Sequence, residues 1–247
     1  MVINMNVGMK TVAVVLAAGQ GKRMNSDVQK QYMLLHDRPV IFYSLKAFQE
    51  SFIDEIILVV AKGEIDYCRT EIVEKYNFTK VKKIVEGGSE RYHSVANGLK
   101  SIEGDGYVFI HDGARPFITK EILLRSYEAV KEHGACVVGM PVKDTIKIVD
   151  ENNFAKQTPN RETLWQVQTP QVFSIKLVKA AYDELIIKEE ELKEQGIRIT
   201  DDAMVVETLT NHPVKLVEGS YENIKITTPG DLNIASSLID EKNNLFY

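Results

Sequence analysis

Cysteine is nearly absent. Cys68 and Cys136 stand far apart, with no C-x-x-C spacing. That pattern excludes a disulfide framework and argues against structural zinc; two core thiols in a reducing cytoplasm are the expectation. An excess of positive charge is also lacking. The 30 Lys and Arg face 35 Asp and Glu, for a net charge of −5, so no global basic character marks a nucleic-acid partner. No apolar run is long enough to span a bilayer, which excludes a membrane helix. Met1 to Met9 shows neither the charged n-region nor the apolar h-region of a signal peptide, and a cytoplasmic location is expected. Two nucleotide-loop signatures are missing too. No G-x-x-x-x-G-K-[ST] occurs, and Met24 stands where G-x-G-x-x-G needs its third Gly, so neither a Walker loop nor a dinucleotide-dependent dehydrogenase is indicated. What remains is 247 residues, 44% hydrophobic and 26% charged, without internal repeats or linkers. This is a globular composition, read here as a single domain over 1–247.

Buried-strand runs alternate with amphipathic stretches. Strands are expected at Val12–Leu16, Glu55–Ala61, Val81–Val85, Tyr107–His111 and Ala135–Pro141, and helices at Val40–Glu50, Glu64–Lys75, Arg91–Lys100 and Lys120–His133. The βαβα alternation predicts an α/β fold with a mostly parallel, doubly wound sheet. Ligands bind such sheets outside the carboxyl ends of the strands, so Gly19, Gly88 and Gly113 at three strand ends point to one crevice. After Pro141 the pattern breaks. Lys143–Val149, a turn at 150–153, Phe154–Gln157 and Thr163–Gln168 read as a protruding hairpin arm over about 143–168. A two-stranded arm is marginal alone, so a partner surface is expected to cover it. Helices at Ser174–Gln195, at Thr200–Leu209 (capped by Thr200 or Asp201) and at Pro229–Asp240 follow, with late strands at Val214–Val217 and Asn223–Thr227.

The first strand runs into Ala17, Ala18, Gly19 and Gly21, then Lys22 and Arg23, with Lys30 beyond. Small residues let the backbone approach a ligand, and N–H groups with flanking cations suit a triphosphate; the alternative is an ordinary turn with exposed cations. A second glycine loop, Gly87 to Arg91 with Ser94, can present a base edge with polar groups, or Ser89 can simply cap a helix. Asp112 at the end of an apolar strand can help hold Mg²⁺ or contact a ribose, or it can pair with Arg115. Arg161 on the arm suits a phosphate bidentately, or it is a solvated hairpin cation. Lys225 stands in an apolar stretch, where a lysine is costly unless it meets an anion.

Taken in order, L-A-A-G-x-G-x-R-M, K-Q-Y, G-G-x-x-R-x-x-S-V, H-D-x-A-R-P, P-V-x-D-T, T-P-Q-x-F, T-D-D-A and N-I-K-I-T, spread from Lys10 to Leu238, resemble the 2-C-methyl-D-erythritol 4-phosphate cytidylyltransferase family. The resemblance implies a Rossmann-like nucleotidyltransferase whose β-hairpin arm makes a homodimer. It also implies CTP and methylerythritol phosphate as substrates, with Mg²⁺ as cofactor. By position it places Ala17, Ala18 and Gly19 in the CTP site. Gly88, Ser89 and Ser94 fall at cytosine and its ribose, and Asp112 and Gly113 by the ribose and Mg²⁺. Arg23 and Lys30 fall at the attacked α-phosphate and leaving pyrophosphate. Lys225 falls at the nucleophile, Arg115 near the sugar phosphate and Thr169 on the site's wall. Thr145 and Arg161 would reach into the neighbouring subunit. The chain departs from the family pattern at Gln29 (usually Pro), Ser89 (commonly Asp), Gly113 (commonly Ala) and Glu222 (usually Asp). Two other readings stand beside this one: a ribitol 5-phosphate cytidylyltransferase, which shares the CTP residues, and a protein that binds CTP without turnover.

Overall fold

The computed structural model describes residues 9–19, 24 and 28–244. A seven-stranded sheet has β1 (Lys10–Ala17) at its centre. On one side lie β4 (Glu55–Val60) and β5 (Val81–Glu86); on the other lie β6 (Gly106–Asp112), β10 (Trp165–Ser174), β7 (Ala135–Pro141) and β11 (Lys215–Glu218). β1 pairs in parallel with β4 and β6, β4 with β5, and β11 with β7. β10 runs antiparallel to both of its neighbours. The sheet is therefore mostly parallel.

Successive strand residues point to opposite faces. Ala13, Val15 and Ala17 enter the core on one face, while Val12 and Val14 enter the core on the other. β4 divides in the same way, Ile56, Leu58 and Val60 against Ile57 and Val59. A strand buried on both faces needs an unbroken apolar run, not an alternating one. The first face is covered by α1 (Val40–Gln49), by α2 (Ile65–Tyr67) continuing as the π-helical turn Cys68–Glu74, and by α4 (Lys120–His133). The second is covered by α3 (Arg91–Lys100), α5 (Ile175–Glu194) and α6 (Asp202–Thr210). Phe109 and Phe173 are fully buried on opposite faces, each worth about 1.5–3 kcal/mol over exposure. Local signals bound the helices: Thr119 Oγ1 accepts the Ile122 N–H at the start of α4, and Gly134 at φ +75° ends it. A small third cluster joins Met24, Leu35 and Ile226 to Ala235 of α7 (Pro229–Asn244).

The structure departs from or adds to these expectations in several places. A short hairpin, β2 (Leu34–Leu35) with β3 (Arg38–Pro39), precedes α1. The arm is shorter than expected: it holds β8 (Ile148–Val149), β9 (Ala155–Gln157) and a 3₁₀ turn at Arg161–Thr163, whereas Trp165, Gln166 and Val167 already pair with β7 in the main sheet. β10 runs beyond the expected Thr163–Gln168 strand and past Pro170, which lacks an N–H, through a register shift between Val167 and Gln171. Residues 223–227 form no strand; the Ile226 N–H bonds instead to Ala114 O in the loop after β6, at 2.9 Å. Of the two caps expected for α6, Asp201 is the one used, accepting the Met204 N–H at 3.0 Å.

Candidate active site

From β1 the chain moves outward to β4 and β5, then α3 returns it to β6 on the other side of β1. This reversal opens a crevice at the carboxyl ends of β1 and β6, the place where doubly wound sheets bind ligands. A cleft of about 670 Å³ lies there. Its walls bring together Ala17, Ala18 and Gly19 after β1, Lys30, Gly88 and Ser89 after β5, Ser94 on α3, Asp112 at the end of β6, and Lys225. The glycine loops fit because bulk is excluded. A Cβ at Gly87 would stand 2.5 Å from Ala18 Cβ and 2.6 Å from Ser94 Oγ.

Each charged wall residue is held by a defined contact. Gln31 donates its side-chain amide to Ala17 O at 2.5 Å, which fixes the turn carrying Lys30 to the end of β1. Lys225 Nζ lies 2.7 Å from Asp112 Oδ2. Its segment is secured by Arg115 Nη1 donating to Asn223 O at 2.7 Å and by Asn223 Nδ2 donating to Thr169 O at 2.9 Å. Arg91 faces Asp112 Oδ1 through Nε at 3.4 Å. Its fork is taken by Asp202 at 2.7 and 2.8 Å, a bidentate pair. Asp202 is fully buried and also accepts the Tyr182 hydroxyl at 2.5 Å. Burial opposes ionisation of Asp112, but the charges of Arg91, Lys225 and Arg115 outweigh it and hold the carboxyl well below the usual range. Burial pushes the other way on His111 and brings it down to about 4, so that imidazole is neutral. Its Nε2 donates to Arg115 O at 3.1 Å and its Nδ1 accepts from Thr169 Oγ1 at 3.0 Å, while Thr169 Oγ1 accepts the Asp112 N–H at 3.1 Å.

Several expected site residues are engaged in contacts within the chain. Thr169 is buried behind the cleft with its hydroxyl consumed by His111 and Asp112, so it shapes the end of β6 and does not line the wall. Arg115 is tied to Asn223 and is also off the wall, and no Asp112–Arg115 side-chain bond forms. Gly113 continues the pairing of β6 with β1, its N–H on Leu16 O at 2.8 Å. The Ser94 hydroxyl is used within the loop: it accepts the Gly88 N–H at 3.1 Å and donates to Glu90 O at 3.2 Å. Ser89 does not cap α3; Glu90 is the capping position. Thr145 and Arg161 are exposed on the arm, where Arg161 Nη1 donates to Lys143 O at 2.8 Å. Arg23 lies outside the described residues. Arg91 and Asp202 were given no role by sequence reasoning, although both stand inside motifs singled out there. The usable signal was a charged pair inside motifs already linked to a site.

Known proteins resemble the chain over nearly its whole length. A family described as 2-C-methyl-D-erythritol 4-phosphate cytidylyltransferase matches residues 11–241. The enzyme of that name from Lachnoclostridium phytofermentans is 50% identical over 94% of this chain and 97% of its own. The one from Lachnospira eligens is 54% identical over 90% and 96%. The crystal structure of 4-diphosphocytidyl-2C-methyl-D-erythritol synthase from Anaerococcus prevotii superposes with a TM-score of 0.80 at 34% identity, covering 94% of this chain and 97% of that one.

Proposed function

The chain belongs to the 2-C-methyl-D-erythritol 4-phosphate cytidylyltransferase family, and from that membership we propose how its own residues perform the reaction. It is a nucleotidyltransferase that moves CMP from CTP to methylerythritol phosphate and releases pyrophosphate, on the route to isoprenoid precursors. A phosphate oxygen of the acceptor bonds to the α-phosphorus of CTP, and the bond from that phosphorus to the bridging oxygen breaks. The attacking oxygen is already anionic at neutral pH, so no general base is needed. The barrier is the approach of two anions, which cations and positioning reduce.

The observation that carries the assignment of roles is the convergence of Lys30, Lys225 and Asp112 on the crevice beside two glycine loops. Ala17, Ala18 and Gly19 receive the triphosphate, and Gly88 and Ser89 face the cytidine. Lys30, with Arg23, stabilises the α-phosphate and leaving group. Lys225, oriented by Asp112, steers the acceptor phosphate. Among the described residues no three carboxylate, His or Cys side chains converge as a metal cage. One carboxylate at the triphosphate end suits Mg²⁺, which takes one or two carboxylates together with substrate phosphates. Asp112 would be its protein contact, and the bound ion would offset triphosphate charge.

Ile148, Val149 and Phe154 are exposed on the arm, and a bare two-stranded arm with an apolar surface calls for cover. We assign that cover to a second copy of the chain, with Thr145 and Arg161 entering its site to hold methylerythritol phosphate. Among the described residues no helix is long and apolar enough to cross a membrane, and the two buried free thiols suit a reducing cytoplasm. Pyrophosphate release from CTP and Mg²⁺, measured in parallel with methylerythritol 4-phosphate and ribitol 5-phosphate, tests the reading. Release with the first alone is expected. Release with the second alone would overturn the acceptor, and CTP binding without release for either would make the protein a passive binder.

A further inference from the structure

The cytidine-facing loop is held from behind by side chains that the reaction does not use. His93, in the first turn of α3, has Nδ1 3.0 Å from Ser89 Oγ and 3.4 Å from the Glu90 backbone N. Its Nε2 lies 2.9 Å from Glu189 of α5. A carboxylate only accepts, so Nε2 carries the proton, and in the neutral ring Nδ1 is left to accept from the Ser89 hydroxyl and the Glu90 N–H. Glu189 is itself fixed, accepting from the Tyr92 hydroxyl at 2.7 Å and from Lys193 Nζ at 2.8 Å. Gly88 packs on the same imidazole-bearing residue: a Cβ there would stand 2.3 Å from His93 Cβ. One side chain therefore touches 88, 89 and 90, three consecutive residues of the cleft wall.

We infer that His93, oriented by Glu189, is a positioning residue that sets the shape of loop 88–90 and, through it, the affinity for CTP. The inference rests on the reading of that loop as the nucleotide wall. It also bears on Ser89, whose hydroxyl is turned toward His93, so the loop meets the cytidine chiefly through its backbone.

The test measures kcat, both KM values and thermal stability for the wild type and four variants. His93→Ala is expected to raise KM for CTP about fivefold, the scale of one net hydrogen bond. Saturated kcat and KM for the acceptor should stay within about twofold. Glu189→Ala, at a half-buried helix position, probes the same link without altering α3 and is expected to raise KM for CTP in the same direction. Tyr92→Phe removes a different Glu189 contact without touching the loop; it is expected to leave KM for CTP unchanged whatever it does to stability. Gly88→Ala is expected to raise KM for CTP through the contact with His93. An unchanged KM for CTP in both His93→Ala and Glu189→Ala overturns the inference, as does an equal rise in Tyr92→Phe. If Gly88→Ala also leaves KM unchanged, the loop is not the nucleotide wall, and the underlying site reading fails with it.

Discussion

A lysine amine 2.7 Å from a carboxylate at the mouth of a crevice does two things at once. It balances the two charges against each other, and it places a cation where an arriving phosphate could meet it. The cost of placing Lys225 in an apolar stretch pointed to an anion, and Asp112 is one. Arg91, which also faces Asp112, and its partner Asp202 were not legible as a pair, because they are 111 positions apart in the chain and no local pattern links them. Lys30 lines the same cleft. Replacing it with Ala is expected to lower kcat about 100-fold, as loss of a transition-state electrostatic contact does; near-normal turnover would remove Lys30 from the mechanism. His111 gives a prediction with a definite sign. Burial lowers its folded value to about 4 from an ordinary 6.5, so between those values the unfolded chain binds the proton and the folded one does not. Stability should fall as pH drops from 6.5 to 4, by about 3 kcal/mol from this group. Urea unfolding across that range should show the loss, and His111→Gln should flatten it. Asp112 carries the same sign, since its folded value is lowered too and its contribution is lost as pH falls. Its lowered folded value contributes stability above the ordinary carboxylate range and keeps it ionised at neutral pH.

At the scale of elements, α6 couples stability to the site. Asp201 caps it and accepts from Gln171 Nε2 at 3.0 Å, Gln171 Oε1 accepts the Ala203 N–H at 2.7 Å, and Asp202 then meets Arg91. Asp201→Ala is expected to cost about 1–2 kcal/mol, read as a lower urea midpoint at unchanged slope. Elements announced by local signals were legible. The apolar runs of β1 and β4, the start of α4 and the Pro229 start of α7 sit within a few residues of their expected places. β10 was read only in part. Pro170 masks a strand that survives by shifting register between two neighbours, and strand partners cannot be read from one segment. Residues 223–227 have the apolar look of a strand, yet no strand edge meets them; loop 112–116 takes their backbone instead.

At the scale of the molecule, the dimer proposed above makes the arm part of a neighbouring site. Thr145 and Arg161 lie off their own cleft wall, so their assigned role requires a second copy. Arg161→Ala and Lys30→Ala should each be nearly inactive alone. Mixed after dissociation, they should recover about a quarter of wild-type sites, because half the dimers are mixed and each mixed dimer keeps one intact site. Recovery of nothing would place Arg161 outside the partner's site. The parallel α/β sheet, the crevice at its strand ends and the small-residue loops followed from sequence alone, because apolar runs, glycines and caps act over a few residues. Other features belong to the tertiary structure: the antiparallel passage of β10, the bidentate grip of Asp202 on Arg91, the withdrawal of Thr169 and Arg115 behind the wall, and the hold of His93 on the loop. Each depends on side chains that come within hydrogen-bond reach only once distant segments have packed, and burial then fixes their charge and direction.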